Sequence, residues 1–248
     1  MIRAKKSLGQ NFLMHARIAE RIALSAQLPK NAVVFEIGPG TGMLTRELLK
    51  LSKKVIALEA DAELFEKLSR DFSAEIKSKK LELIHGDIRT FDIATLPKGY
   101  ALVANIPYYL TGEIFRMFLS ADNHPTSMTL LVQKEVAVRI VRAPKASILS
   151  LSVRAYGTPT LVFTVPRGAF VPAPNVDSAV LSIQNISRKA FKTKKQEQKF
   201  FDLLHAGFAH KRKFVRNNLA SAGLDLGTIP EKARAEDLPL VTWLALAK

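Results

Sequence analysis

The residues with the clearest chemical meaning lie in two short motifs. The first is Glu36-Ile-Gly-Pro-Gly-Thr-Gly42, and the second is Asn105-Ile-Pro-Tyr108. Each motif alone is ambiguous. Together, in this order, they indicate a nucleotide-like cofactor held near a polar pocket that grips an amino group beside an aromatic ring. Methyl transfer to the exocyclic nitrogen of an adenine needs this combination of groups.

The second motif carries the groups that would activate such an amine. Its lone pair is delocalised into the ring, so the nitrogen is a poor nucleophile. Two acceptors can draw it towards tetrahedral geometry, and we assign these to the Asn105 side-chain oxygen and the Ile106 carbonyl. Pro107 fixes the turn. Tyr108 is predicted to stack on the base and Phe170 to cover its other face, at roughly 1–3 kcal/mol per base.

The same motif has simpler explanations. An Asn-Pro turn before a helix needs no ligand.

Methyl transfer to an amine requires no strong general base, because the methylated amine is acidic and water can take its proton. The five histidines show no ligand spacing, and we expect no metal site.

The glycine motif is predicted to bind the cofactor. Gly38 and Gly40 follow an apolar run and precede a helical pattern, where glycine lets backbone N–H groups approach a ligand. A dinucleotide fingerprint would have its third glycine at position 43, which is Met43. This disfavours NAD and FAD. A glycine turn without a ligand is the remaining alternative.

Two acidic residues follow later predicted strands. Glu59 lies about 20 residues beyond the glycines, where a carboxylate can accept both ribose hydroxyls. Asp87, followed by Ile88, is suited to accept from an adenine amino group. A solvated surface acid is the alternative for either one alone. Together they indicate S-adenosylmethionine, which has an adenosine and a charged amino-acid tail but no pyrophosphate.

Strands and helices alternate through the first two thirds of the chain. The predicted strands are 32–37, 54–58, 81–84, 100–104, 127–132, 160–165 and 179–183, and the predicted helices are 43–51, 62–72, 111–119 and 135–141. Thr41 is predicted to cap the first of these helices, and 170–178 is predicted to be a stiff, extended loop. The alternation predicts a doubly wound α/β sheet with ligands at the carboxyl ends of its strands.

The chain is strongly basic. It has 37 Lys and Arg against 22 Asp and Glu, a formal net charge of +15. Such a field favours nucleic acid or an anionic membrane surface, although generic basicity is an alternative. Ten basic residues lie between positions 188 and 216, which predicts a helical region with a positive face. We therefore expect a catalytic domain over 1–185 and a basic helical domain over 186–248.

Other features limit the location and the chemistry. There is no cysteine, which excludes disulfides, thiolate chemistry and cysteine-based zinc sites. The basic N-terminus lacks the apolar region of a signal peptide, and no run approaches the ~20 apolar residues of a membrane span. We expect a cytoplasmic protein without membrane contact.

The motifs resemble those of Rossmann-like, class I S-adenosylmethionine-dependent adenine methyltransferases. The segment from Lys6 to Leu13 narrows the resemblance to the rRNA adenine dimethyltransferases. The stretches 132–137, 170–174, 208–219 and 234–238 are similar to the small-subunit (16S) branch, the KsgA type. The resemblance covers essentially the whole chain in the expected order.

The resemblance implies a fold and an activity. The fold would be a mostly parallel seven-stranded sheet with a small all-α C-terminal domain. The activity would convert two adjacent adenines in the 3′-terminal hairpin loop of small-subunit rRNA to dimethyladenines during small-subunit biogenesis. Each rRNA would consume four molecules of S-adenosylmethionine, each of which would leave as S-adenosylhomocysteine. The expected substrate is an immature small ribosomal subunit, and the expected enzyme is a monomer.

The resemblance also implies site residues. In the family the N-terminal segment folds over the cofactor, so Asn11 and Leu13 are expected to contact it. The full cofactor set would be Asn11, Leu13, Gly38, Gly40, Glu59, Asp87, Ile88 and Asn105. A hairpin loop presents splayed bases to a pocket while its flanking phosphates meet basic side chains. The candidates for phosphate contact are Lys211, Arg212, Lys213 and Arg216, with a solvated charged face as the alternative.

Three alternatives remain open. The large-subunit branch of the family, whose methylation confers macrolide-type resistance, shares the cofactor motifs and the tetrad Asn105-Ile-Pro-Tyr108. A ribosome assembly factor that has lost methyl transfer would bind the same particle. A DNA adenine methyltransferase is disfavoured because no target-recognition domain is recognisable.

Overall fold

The strands place the predicted motifs at one edge of a large sheet. The structure is a computed structural model that describes residues 4–5, 8–210, 212–220, 226 and 229–248. Within these residues the strands are β1 (Phe12–Leu13), β2 (Val33–Ile37), β3 (Lys54–Glu59), β4 (Leu81–His85), β5 (Ala101–Asn105), β6 (Ser127–Gln133), β7 (Thr158–Val165), β8 (Phe170–Val171) and β9 (Ser178–Gln184).

The helices alternate with these strands and then continue alone towards the C-terminus. They are α1 (Ala16–Ser25), α2 (Met43–Leu51), α3 (Ala62–Asp71), α4 (Ser73–Lys77), α5 (Thr111–Leu119), α6 (Lys134–Val141), α7 (Ile148–Tyr156), α8 (Lys194–Phe208), α9 (Val215–Leu219) and α10 (Leu240–Leu246). Short 3₁₀ turns lie at Ile93–Thr95, Tyr108–Leu110, Arg167–Ala169 and Ala235–Asp237.

The main sheet has seven strands in the order β4-β3-β2-β5-β6-β9-β7. Strand β2 pairs in parallel with both β3 and β5, β3 with β4, and β5 with β6, whereas β9 runs antiparallel to β6. The strand order reverses between β2 and β5, which is where ligands bind in open α/β sheets. The predicted Rossmann-like class I methyltransferase fold, with its mostly parallel seven-stranded sheet and C-terminal helices, is confirmed.

The central strands are buried because helices cover both faces of a parallel sheet. In β2, Val34, Phe35 and Ile37 are at most 4% exposed, and Ala101–Ala104 of β5 is equally buried. A separate ribbon pairs β1 with β8 antiparallel, with Phe12 opposite Val171 and Leu13 opposite Phe170. This ribbon fixes the N-terminal segment against the chain that follows β7.

Most predicted elements agree with the structure to within two residues, but the predicted cap of α2 is wrong. Gly42, and not Thr41, precedes α2, in the left-handed conformation and without a side-chain cap bond. Helix α1 was not predicted because His15, which precedes it, makes no capping bond and its first turn has no acidic residue. Helix α7 was also missed, although Ser147 and Ser150 form a reciprocal capping box at its start.

The chain divides into two compact units. The first contains the described residues up to Ala137 together with Thr160–Ile186, and the second contains Val138–Pro159 and the described residues from Ser187 onwards. We expected the segment 138–159 in the first unit, so the boundary differs there. The catalytic and RNA-contacting roles of these parts stay predictions. Among the described residues, no helix combines the length and the hydrophobicity that a membrane span requires.

Candidate active site

An open cleft lies at the carboxyl ends of β2 to β5. Its empty volume, including space open to solvent, is about 1040 Å³. A concave cleft of this kind is the usual form of a small-molecule site. The walls of the cleft come mainly from residues 8–13, 36–41, 58–60, 86–89 and 105–110.

The glycine motif forms one wall of the cleft, in a backbone conformation that favours glycine. Gly38, Gly40 and Gly42 have φ angles of 65°, 60° and 80°. A Cβ on Gly42 would lie 2.5 Å from a ring carbon of Phe72, whereas a Cβ on Gly38 would meet nothing within 4 Å. Packing therefore requires Gly42, while Gly38 leaves open space on its exposed side, as a ligand cradle does.

Glu59 is buried beside this loop. Its Oε2 accepts from the Gly40 N–H at 3.0 Å, and its Oε1 accepts from the Asp61 N–H at 2.9 Å. Burial raises the pKa of Glu59, and these backbone hydrogen bonds offset part of the effect. The Ala60 N–H also contributes to this offset, and the remaining acceptor capacity of the carboxylate is available to a ligand hydroxyl.

Asp87 and Ile88 also line the cleft, but the Asp87 carboxylate already has a partner. Both of its oxygens accept from the guanidinium of Arg89, and Oδ1 also accepts the Arg89 backbone N–H at 2.9 Å. These hydrogen bonds lower the pKa of Asp87, which keeps it a charged acceptor. A hydrogen bond from Asp87 to an adenine amine stays a prediction.

Asn105 lies at the end of β5, where its side-chain amide has a fixed orientation. The Nδ2 group donates to the backbone carbonyl of Asn11 at 3.1 Å. Among the described residues the Asn105 Oδ1 has no hydrogen-bond partner, and it is therefore the atom available to accept from an amine. Ile106 and Pro107 continue along the same wall.

The two predicted stacking aromatics have different surroundings. Tyr108 lines the cleft, and its hydroxyl lies 2.6 Å from the Ser178 Oγ. Phe170 is 2% exposed, pairs with Leu13 in the β1–β8 ribbon and packs in the main core, and it does not line the cleft. Stacking of Phe170 on a base would require its ring to become exposed, so that role stays a prediction.

The N-terminal segment crosses the cleft, as the resemblance implies. Asn11 and Leu13 both line the cleft, and Leu13 is 5% exposed. Gly9 contributes a left-handed turn, and a Cβ there would come within 2.9 Å of the Tyr109 ring. Lys6 and Ser7, which begin the motif, lie outside the described residues.

Four residues around the cleft were given no role of their own from the sequence. Glu36 is 1% exposed, and its Oε2 has no hydrogen-bond partner within the described part of the chain. Burial raises the pKa of Glu36 to about 8. Tyr109 lines the cleft with 58% of its surface exposed, and Gln10 contacts Asp61. Only Glu36 had a sequence signal, as an acid within an apolar strand.

The predicted phosphate-binding residues belong to the second compact unit. Arg212 and Lys213 are exposed, whereas Arg216 is half-buried and its Nε donates to the Ile229 carbonyl at 2.7 Å. Arg216 therefore also has a structural role. Lys211 lies outside the described residues. Across the described ranges, no cluster of three or more His, Asp and Glu side chains could hold a metal ion.

Known proteins match the chain over nearly its whole length. The family model described as "Ribosomal RNA adenine dimethylase" matches residues 1–243. A relative from Dehalococcoides mccartyi, "Ribosomal RNA small subunit methyltransferase A", is 40% identical over 259 positions, which cover 99% of this chain and 88% of the relative.

Two solved structures are similar to the chain. The dimethyladenosine transferase from Plasmodium falciparum is 25% identical with a TM-score of 0.81, and the match covers 95% of each chain. The 23S rRNA methyltransferase ErmE is 26% identical with a TM-score of 0.77, and the match covers 96% of this chain and 98% of ErmE. The cleft, its tetrad and the full-length family match agree, and the chain belongs to the ribosomal RNA adenine dimethylase family.

Proposed function

We propose that the protein transfers methyl groups to the exocyclic nitrogens of two adjacent adenines in the 3′-terminal hairpin loop of small-subunit (16S) rRNA. The products are dimethyladenines, and the substrate is the immature small ribosomal subunit. The hydrogen bond from Asn105 Nδ2 to the Asn11 carbonyl carries the proposal, because it leaves Oδ1 as an acceptor in the cleft. An amine that must be made nucleophilic needs such an acceptor.

The residues of the cleft fit S-adenosylmethionine as the methyl donor. The open space beside Gly38 can take the amino-acid tail of S-adenosylmethionine, and the remaining acceptor sites of Glu59 suit its ribose hydroxyls. Asp87 and Ile88 line the same cleft and are proposed to contact the adenine ring. When bound, S-adenosylmethionine supplies an electrophilic methyl group on a sulfonium and becomes S-adenosylhomocysteine.

Side-chain and backbone groups of the tetrad would act on the target base. Asn105 Oδ1 and the Ile106 carbonyl accept the two N–H groups of the adenine amine, which turns its lone pair towards the methyl donor. Tyr108 stacks on the ring and offsets the cost of unstacking it from the RNA. After one methylation the nitrogen keeps one N–H, so one acceptor still orients it for the second transfer.

Methylation of large-subunit rRNA is the second candidate, since ErmE is a 23S rRNA methyltransferase with a similar fold. The relative named for the small subunit is 40% identical, against 26% for ErmE. This difference favours the small subunit. An assembly factor without activity is disfavoured because binding alone gives no physical reason for an oriented Asn105 amide in a cleft with an open glycine loop.

The test is transfer of labelled methyl groups from S-adenosylmethionine to small subunits that lack these modifications. We expect label in small-subunit rRNA as dimethyladenine, and a loss of roughly 10²-fold or more in Asn105→Ala, since removal of one oriented polar contact at a reacting centre costs about that much. The unfolding midpoint of Asn105→Ala is the control for an intact fold.

The other outcomes identify the alternatives. A primer-extension stop in large-subunit rRNA alone would move the protein to the large-subunit branch. Tight binding of particles without transfer to any rRNA would favour the assembly factor. Equal transfer by wild type and Asn105→Ala would remove the assigned role of the tetrad.

The basic residues are proposed to supply affinity for RNA without taking part in the chemistry. We expect the quadruple replacement of Lys211, Arg212, Lys213 and Arg216 by Gln to weaken binding to small subunits and to flatten its dependence on salt. Because Arg216 also holds the Ile229 carbonyl, the pair Arg212→Gln and Lys213→Gln is the cleaner variant. Unchanged affinity and an unchanged salt slope in both variants would contradict the proposal.

A further inference from the structure

We propose that Asp61 anchors the N-terminal strap, residues 8–13, over the cleft, and that the strap sets the amide orientation of Asn105 through the Asn11 carbonyl. Asp61 and Gln10 would then be positioning residues for methyl transfer, and neither would contact the reacting atoms. The inference rests on the proposed function, because it assigns roles in that reaction. It concerns contacts within the first compact unit alone.

The anchor is a buried carboxylate whose donors come largely from the N-terminal segment. Asp61 is 2% exposed, and its Oδ1 accepts from Lys5 Nζ at 2.7 Å and from the Glu63 N–H at 3.0 Å. Its Oδ2 accepts from Gln10 Nε2 at 3.0 Å. The Gln10 Oε1 in turn accepts the Lys5 backbone N–H at 2.7 Å, so both ends of the Gln10 amide are engaged.

This arrangement makes the closed strap favourable for electrostatic reasons. A carboxylate withdrawn from water is costly unless it is paired and hydrogen-bonded. Burial opposes the ionisation of Asp61, but the hydrogen bonds from Lys5, Gln10 and the Glu63 N–H outweigh it and lower its pKa. Gln10 lies in the strap and Lys5 precedes it in the chain, so two of these three donor residues are lost if the N-terminal segment leaves.

The far side of the strap is fixed by backbone contacts. Leu13 pairs with Phe170 in the β1–β8 ribbon, and the Met14 N–H donates to the Ala169 carbonyl at 2.9 Å. The strap is therefore held at both ends, and Asn11 lies between them, next to Gln10 in sequence. Movement of the anchor would move the carbonyl that Asn105 contacts.

The Asn11 carbonyl can select one of the two orientations of the Asn105 amide. A carbonyl accepts hydrogen bonds and cannot donate them, so it pairs only with Nδ2. The flipped amide would bring Oδ1 against the carbonyl oxygen and present an N–H donor to an amine that needs an acceptor. The strap thus favours the orientation that the chemistry requires.

The test compares Asp61→Asn and Gln10→Leu with Asp71→Asn, in the full chain. Asparagine at position 61 keeps the shape and the helix-capping acceptor for Glu63 N–H but removes the charge that Lys5 and Gln10 contact. Asp71→Asn is the matched control, since it makes the same change at the other end of α3, where Asp71 pairs with Lys67 away from the cleft.

We expect Asp61→Asn and Gln10→Leu to raise the Kd of S-adenosylmethionine about tenfold and to lower kcat on small subunits about tenfold at saturating cofactor. Asp71→Asn should stay within about twofold of wild type in both. Unfolding midpoints of all variants identify any general loss of fold. Wild-type Kd and kcat in both folded strap variants would overturn the proposal.

A second background isolates the effect on the amide. In Asn105→Asp neither side-chain oxygen can donate to the Asn11 carbonyl, so the contact through which the strap acts on this side chain is already absent. We expect the effect of Asp61→Asn on kcat to shrink from about tenfold to about twofold in that background, because coupled residues are non-additive. An equal loss of kcat in both backgrounds would show that the strap acts only through cofactor binding or stability, and would overturn the orienting role.

Failure of the proposed function would be recognised separately. If wild type methylates neither ribosomal subunit, the assignment of the reaction fails, and amide hydrogen exchange of residues 8–14 still judges the anchor. Faster exchange in Asp61→Asn than in Asp71→Asn supports the anchor. Equal exchange in the two variants overturns it.

Discussion

The two ends of the cleft are built from contacts of different range. At the cofactor end, Gly38 N–H donates to the Leu58 carbonyl and Gly40 N–H to Glu59, which is 19 positions away. At the amine end, Asn105 contacts Asn11 across 94 positions and Tyr108 contacts Ser178 across 70. The first end lies within one pair of parallel strands, and the second is assembled from three distant parts of the first compact unit.

This difference has a consequence for how each end can fail. Backbone geometry and packing under the loop hold the cofactor end, so a change there should act on folding or on cofactor affinity. Side chains from separate segments hold the amine end, so a change there should act on orientation and on modest local stability. Variants matched within each end can test this contrast.

The largest effect is expected for Gly42→Ala, with Gly38→Ala as its matched partner. The new Cβ at position 42 would lie 2.5 Å from Phe72 and 2.9 Å from Leu68, at a φ of 80°. Overpacking and left-handed strain together should cost roughly 2–4 kcal/mol of unfolding free energy. Gly38→Ala meets no atom within 4 Å and should lose only about 1 kcal/mol, from strain alone.

Urea unfolding and titration with S-adenosylmethionine separate the two variants. The methyl group of Gly38→Ala enters the open side of the loop and should weaken cofactor binding despite the milder effect on folding. Gly42→Ala should show the larger loss of stability and, in the fraction that folds, the smaller loss of cofactor binding. Equal losses of stability would contradict the assignment of packing to Gly42 and ligand space to Gly38.

The sequence revealed the cofactor end more completely than the amine end. Gly38, Gly40 and Glu59 follow from spacing because a βαβ unit fixes where a strand ends and the next helix begins. Gln10 and Asp61 carry no such signal, since their contact exists only once the chain has folded across 51 positions. Phe170 was assigned by residue type, and its place in the core depends on pairing with Leu13, which periodicity does not reveal.

The next effect concerns the buried acid beneath the glycine loop. The pKa of Glu36 is raised from 4.5 to about 8, so the folded protein binds more protons than the unfolded chain between these values. Its contribution therefore lowers stability as pH rises from 4.5 to about 8. Glutamine is neutral at every pH, so Glu36→Gln should gain roughly 1–3 kcal/mol over wild type at high pH relative to low pH.

Urea unfolding of both proteins near pH 5 and near pH 9 measures this gain. Glu82→Gln is the matched control, because Glu82 lies on the neighbouring part of the sheet but is exposed and paired with Lys54. We expect no comparable pH-dependent gain from that variant. A Glu36→Gln difference that is the same at both pH values would show that Glu36 ionises normally in the folded protein.

The smallest effect is expected at the amine end, for Tyr108→Phe. The phenylalanine ring keeps the stacking surface, but the Ser178 Oγ, on a fully buried residue, loses the partner that lies 2.6 Å away. An unsatisfied buried hydroxyl costs about 1–2 kcal/mol, whereas removal of both partners is nearly neutral. The double variant Tyr108→Phe, Ser178→Ala should therefore be more stable than Tyr108→Phe alone, as measured by urea unfolding.

Methyl transfer should stay within a few-fold of wild type in both variants, since the aromatic ring at position 108 and Asn105 remain. If the double variant is less stable than the single one, Ser178 stabilises the amine end through contacts other than the one with Tyr108. The contrast between the two ends would then lose its clearest long-range contact.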